Sequence, residues 1–105
     1  MIAKTPQPPY YTVIFTSVKK EDAQGYMEMA KKMEELAKEQ PGYLGFESAR
    51  EELGIRVSYW KDIESIKKWK ANSEHLIAQE KGRKHWYASY KIRITRVERD
   101  YGFQI

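Results

Sequence analysis

A chain of 105 residues has room for one domain around one hydrophobic core, and not for a catalytic domain with a separate regulatory one. Its 41% hydrophobic and 13% aromatic residues suffice for that core, while 19 basic against 15 acidic residues leave an excess too small and too scattered to name a polyanionic partner. The lack of cysteine excludes a disulfide framework, a thiolate metal site and a cysteine nucleophile.

Residues 1–9 carry Pro6, Pro8 and Pro9, which predict a stiff extended leader; the segment has no apolar stretch of the kind a secretory signal needs. "YYTVIFTSV" then alternates in β-branched and aromatic residues and predicts the first strand over 10–18. Across 21–40, Ala23, Tyr26, Ala30, Met33 and Ala37 recur every three or four residues until "QPG" stops them, which predicts a long amphipathic helix. "YLGFESAR" and "IRVSYW" read as an antiparallel pair of strands joined by "EELG", with Gly54 supplying the positive φ of the hairpin loop. Asp62 is placed to cap a helix in which Ile63, Ile66 and Trp69 form one stripe. Asn72 or Ser73 is placed to cap a further segment, so a break is expected near Ala71. "YASYKIRITRVER" alternates again as a fourth strand, and a short tail follows. No apolar run approaches the roughly 20 residues of a membrane span. The expectation is a single soluble, cytoplasmic domain over 1–105.

The order βαββαβ has a physical solution in an α+β, ferredoxin-like fold, a four-stranded antiparallel sheet with both helices on one face. The other face is then conspicuous. Strand one places Tyr11, Val13 and Phe15 on one side and Tyr10 and Ile14 on the other; strand three places Ile55, Val57 and Tyr59 opposite Trp60. A short chain whose sheet is apolar on both faces most cheaply covers the second face with another copy of itself, which predicts a homodimer packed sheet to sheet.

The combination of "QPGYLGFES", "VSYWKDIESIKKWK", "HLIAQEKGRKHWY" and "RITRVERDYGF" resembles the antibiotic biosynthesis monooxygenase family over nearly the whole chain. The resemblance implies a dimeric α/β barrel, a small pocket in each subunit between sheet and helices, and oxidation of aromatic, quinol-like molecules with neither metal nor organic cofactor. The fold transfers along such a resemblance better than the reaction does.

Oxygen chemistry without a cofactor needs an electron-rich phenolate or enolate held in a dry pocket, and hence a base, orienting donors and aromatic walls. His75 is the base candidate, with Asn72, Gln79 and Arg93 as orienting or charge-stabilising groups. Asn72, His75 and Gln79 follow one another at about one helical turn. Trp69, Tyr59, Trp60 and Trp86 are the candidate walls, although Trp69, continuing the Ile63–Ile66 stripe, reads first as a core residue anchoring helix to sheet. His85, at the helix exit, reads as a favourable partner for the helix dipole.

Three alternatives stand beside this reading. A related branch, the haem-degrading monooxygenases, uses a histidine ligand with an asparagine on strand one and a tryptophan in the second helical region. Trp69 suits that set, but Gln79 falls at the ligand position and strand one offers Thr12, Thr16 and Ser17 in place of asparagine. A nucleic-acid-binding module shares the element order, yet "PGYLGFE" lies on the wrong strand for its aromatic signature. The basic residues late in the chain are also interrupted by Glu80, Glu98 and Asp100. The third alternative is a dimer that binds a small molecule without transforming it. Neither a nucleic acid nor a membrane is an expected partner.

Overall fold

The computed structural model describes residues 1–79 and 86–105. The first strand, β1, spans Tyr10–Lys19, and the chain turns through Gly25, whose φ of 81° lies in the left-handed region, into α1 (Tyr26–Lys38). β2 (Tyr43–Arg50) and β3 (Leu53–Trp60) form a hairpin, α2 (Ile63–Gln79) follows, and β4 (Tyr87–Val97) completes the sheet. The strands lie in the order β2-β3-β1-β4 with every neighbouring pair antiparallel, the ferredoxin-like arrangement expected from the element order.

Local chemistry moves several expected boundaries. The first helix starts at Tyr26 and not at residue 21, because the chain passes through the left-handed Gly25 before the helical ladder begins. The expected break near Ala71 is absent, and α2 runs unbroken from Ile63 to Gln79. Ser73 does not cap a new segment; its hydroxyl donates back to the Lys70 carbonyl at 2.9 Å, a bond that a continuous helix accommodates. Asp62 caps α2 as predicted, its Oδ1 accepting the Ser65 N–H at 2.8 Å. Gly54 lies inside β3 rather than in the hairpin loop. Its missing Cβ matters for a different reason: the Arg50 guanidinium occupies the space where a side chain would project.

Register decides which side chains look inward. β1 pairs with β3 so that Val13 opposes Ser58 and Phe15 opposes Arg56, and with β4 so that Phe15 opposes Ile92. These residues face the helices. The β2–β3 register shifts between Tyr43 and Gly45, which puts Tyr43 and Phe46 on the same, inward face although they are three apart. Trp60 is the centre of the core, with 0% of its surface exposed. Its indole N–H donates to Ser58 Oγ at 2.8 Å, its ring stacks on Trp69 at 5.9 Å, and Tyr43 meets it edge-on at 5.5 Å.

The outward face is partly closed by the chain itself. The Ala3 N–H donates to Glu47 Oε2 at 2.9 Å, which draws the leader over β2. Tyr59 donates to Glu47 Oε1 and Tyr10 to Asp100 Oδ2, each at 2.5 Å, and the Thr12 and Thr95 hydroxyls pair across β1 and β4. Tyr10 and Thr12 are buried as a result, whereas Leu53 and Ile55 remain exposed at the other end. Tyr101, Phe103 and Ile105 project almost fully into solvent from the tail. No helix among the described residues is long and apolar enough to cross a membrane.

Candidate functional site: a cavity between sheet and helices

The inward face of the sheet and the facing sides of both helices enclose a cavity of about 400 Å³, a volume suited to a small organic molecule. Helical periodicity builds two of its walls: Met29, Met33 and Ala37 follow one another down α1 and Trp69, Ser73 and Ile77 down α2, each set at i, i+4, i+8. Val13, Phe15 and Ile92 supply the sheet side, and Trp86 closes one end with its indole N–H donating to the Gln24 carbonyl at 3.0 Å.

Into this apolar space the β2–β3 hairpin delivers two guanidiniums. Arg56 lies 4.5 Å over the Phe46 ring and pairs with Glu34 at 3.4 Å, and Glu34 in turn reaches Lys38 at 3.4 Å. Arg50 folds across Gly54 with its carbon Cζ 5.5 Å from the Tyr26 ring centroid, and its Nη2 donates to the Ser17 hydroxyl. Its other terminal nitrogen, Nη1, is buried and has no hydrogen-bond partner among the described residues. Beside it Tyr87 packs edge-on against Tyr26 at 5.8 Å and Phe15 at 5.3 Å. Burial, reinforced by the neighbouring Tyr26, pushes the Tyr87 phenol well above the ordinary tyrosine range against the opposing pull of Arg50 and Arg56. Burial likewise raises Tyr43, with Arg56 opposing. Both phenols therefore remain neutral hydroxyls at physiological pH. The described lining holds two guanidiniums against one carboxylate, a positive excess in a mostly apolar space.

Of the residues singled out from the sequence, Trp69 and Trp86 line the cavity. Trp60 lies behind Trp69 as a buried support. Tyr59 shares the outward face with Glu47, and Arg93, opposite Ile14 on β4, is exposed on that same face. Asn72 is exposed and donates to Gln40 Oε1 at 2.7 Å; His75 is exposed on α2. The unbroken helix explains this, because at 3.6 residues per turn His75 lies about 120° around the axis from Trp69. Gln79 is the last residue of α2, and its side chain lies outside what the structure describes, as does His85. Among the described residues no group of three or more His, Cys, Asp or Glu side chains is placed to hold a metal ion.

Sequence reasoning missed Arg50 and Arg56. A signal was present: both have the inward parity of their strands, Arg56 with Trp60 and Arg50 with Phe46. A basic residue on the core side of a strand either buries a paired charge or serves a site.

The fold and cavity define a ferredoxin-like α+β domain with an aromatic-walled space between sheet and helices. Residues 9–81 match the family model described as antibiotic biosynthesis monooxygenase, and the chain belongs to that family. It is 51% identical over 105 residues to the uncharacterized protein YqjZ of Bacillus subtilis (strain 168), covering 98% of this chain and 92% of that protein. Several solved structures share its fold, two of them as follows. PA3566 from Pseudomonas aeruginosa superposes with a TM-score of 0.68 at 16% identity, covering 91% of this chain and 99% of that one. SnoaB, a cofactor-independent oxygenase from Streptomyces nogalater, superposes with a TM-score of 0.67 at 9% identity, covering 89% and 97%.

Proposed function

We propose that the protein is a cofactor-independent monooxygenase that oxidises a small, electron-rich, quinol-like aromatic molecule inside the cavity. The observation that carries this reading is the cavity itself, aromatic-walled and of ligand size, in a chain of this family. The reaction draws its electrons from the substrate: the ring carbon conjugated to the phenolate or enolate, a CH2 in the keto tautomer, bonds one atom of dioxygen, the O–O bond breaks, and the carbon's two hydrogens leave with the other oxygen as water while the carbon becomes a carbonyl. Trp69, Trp86 and Phe15 provide flat walls that hold a ring and exclude water, and the neutral hydroxyl of Tyr43 is a donor to its oxygens. The protein acts as a homodimer, with the outward face of one sheet against that of its partner. The exposed Leu53 and Ile55 and the apolar tail support this assembly.

An oxygen electrode with a panel of two- and three-ring quinols tests the activity. Uptake above buffer autoxidation is expected with at least one of them, and Ala30→Phe, which fills the cavity from α1, should abolish it while leaving the circular dichroism spectrum unchanged. No uptake across the panel, or full activity in a folded Ala30→Phe, would reject the cavity as an oxygenase site.

A further inference from the structure

A single row of side chains crosses the outward face of the sheet from edge to edge. Glu47 on β2 is in register with Val57 on β3, Val57 with Ile14 on β1, and Ile14 with Arg93 on β4. The row reads acidic, apolar, apolar, basic, and its two charges sit on the two edge strands. Neither charge is compensated by another described residue. Glu47 accepts from two uncharged donors, the Ala3 N–H and the Tyr59 hydroxyl, and enters no ion pair; Arg93 is exposed and likewise unpaired. Further toward the hairpin loop the same face carries Leu53 in register with Val18, both exposed.

Such a row is complementary to itself under one twofold operation and not under the other. An axis running along the strands sets β2 over the partner's β4 and β3 over the partner's β1, whereas an axis running across them sets each strand over its own copy. Sheets packed face to face keep their strand directions within about 30° of each other, and a closed twofold along the strands leaves each residue at its own height, so row meets row. The first axis brings Glu47 over the partner's Arg93. The second sets the edge that bears Glu47 against itself and the edge that bears Lys91 and Arg93 against itself, a juxtaposition of like charges that an interface disfavours strongly. We infer that the two copies dock about the axis along the strands, through two symmetry-related Glu47–Arg93 ion pairs that flank an apolar centre of Ile14 and Val57. The same operation lays Leu53 over the partner's Val18, covering the exposed apolar end in the same step. The inference rests on the homodimer proposed above and adds which edges of the two sheets meet.

Sedimentation equilibrium of charge-reversal variants separates the two ideas, with circular dichroism reporting the fold of each. Arg93→Glu sets carboxylate against carboxylate at both contacts of its homodimer, and Glu47→Arg sets guanidinium against guanidinium. Each alone is expected to raise the dissociation constant by about tenfold or more. Mixing the two in equal amounts should restore dimers of near-native affinity, because both contacts of the mixed dimer then carry opposite charges, and high salt should narrow the gap between Arg93→Glu and the native protein. Glu47→Arg also removes the acceptor that holds the leader. Should it not fold, Glu47→Gln, which retains one acceptor oxygen, takes its place: added to Arg93→Glu, it is expected to recover part of the lost affinity. Single reversals that dimerise as tightly as the native protein overturn the pairing and leave the homodimer standing, as does a loss that neither the mixture nor the double variant recovers. A native chain that stays monomeric at high micromolar concentration overturns both and leaves the face to its own leader or to a different protein.

Discussion

At the scale of single residues, the fate of a side chain here follows from its angular position on a helix or its parity on a strand more than from its chemical type. His75 has the chemistry of a general base, yet it lies on the exposed side of α2, whereas Trp69, Ser73 and Ile77 form the stripe that faces the sheet. A base acts within hydrogen-bond reach of the proton it takes. If the cavity is the site, His75→Ala should leave oxygen uptake within about twofold of the native rate, against the roughly 100-fold or greater loss typical of removing a general base. A loss of that size with an unchanged melting temperature would restore His75 as the base.

At the scale of elements, α2 depends on its cap. Asp62 accepts hydrogen bonds from both the side chain and the backbone N–H of Ser65, and these hold its carboxyl below the usual range. A depressed folded-state pKa contributes stability that is fully present above the unfolded value near 3.9 and is lost as pH falls through the folded value. Asp62→Ala should therefore lower the melting temperature by a few degrees equally at pH 5 and pH 7. The gap between native and variant should close toward pH 2 to 3 as the native carboxyl is protonated. A gap that is constant across the whole range would mean that the charge of Asp62 contributes nothing to the cap. The β2–β3 hairpin shows a second element-scale effect. Its register shift turns Tyr43 inward alongside Phe46, and its short loop brings Arg50 opposite Gly54, so a local irregularity and one glycine position the polar end of the cavity.

At the scale of the whole molecule, the proposed homodimer rests on the outward face of the sheet. The leader, held through Ala3 to Glu47, and the Tyr10–Asp100 bond bury one end of that face, but Ile55 stays 44% exposed and the tail beyond Asp100 carries three exposed apolar side chains. Light scattering at micromolar concentration should return about twice the 12.5 kDa chain mass. A truncation that removes residues 101–105 should raise the dissociation constant if the tail contributes to the dimer. A soluble monomer for the full chain would leave the leader as sufficient cover for the face.

The local pattern of the sequence determined the elements, their antiparallel order and the two-sided character of the sheet. Periodicity, caps and turn residues are properties of neighbours in the chain, and the alternation in "YYTVIFTSV" or the stripe from Ile63 to Trp69 can be read without knowing what they touch. The same pattern identified Trp69 and Trp86 as large aromatics at or near the second helix, both of which reach the cavity. Tertiary structure decided the rest. Continuity of α2 across Ala71 turned His75 outward, and the shift between Tyr43 and Gly45 set which β2 side chains face in. The approach of β1, α1 and the hairpin brought Ser17, Tyr26 and Arg50 together from segments far apart in sequence. A one-residue change of register or a single break in a helix costs little in local energy but redirects every side chain beyond it, so the polar half of the site is fixed by packing and not by the order of residues.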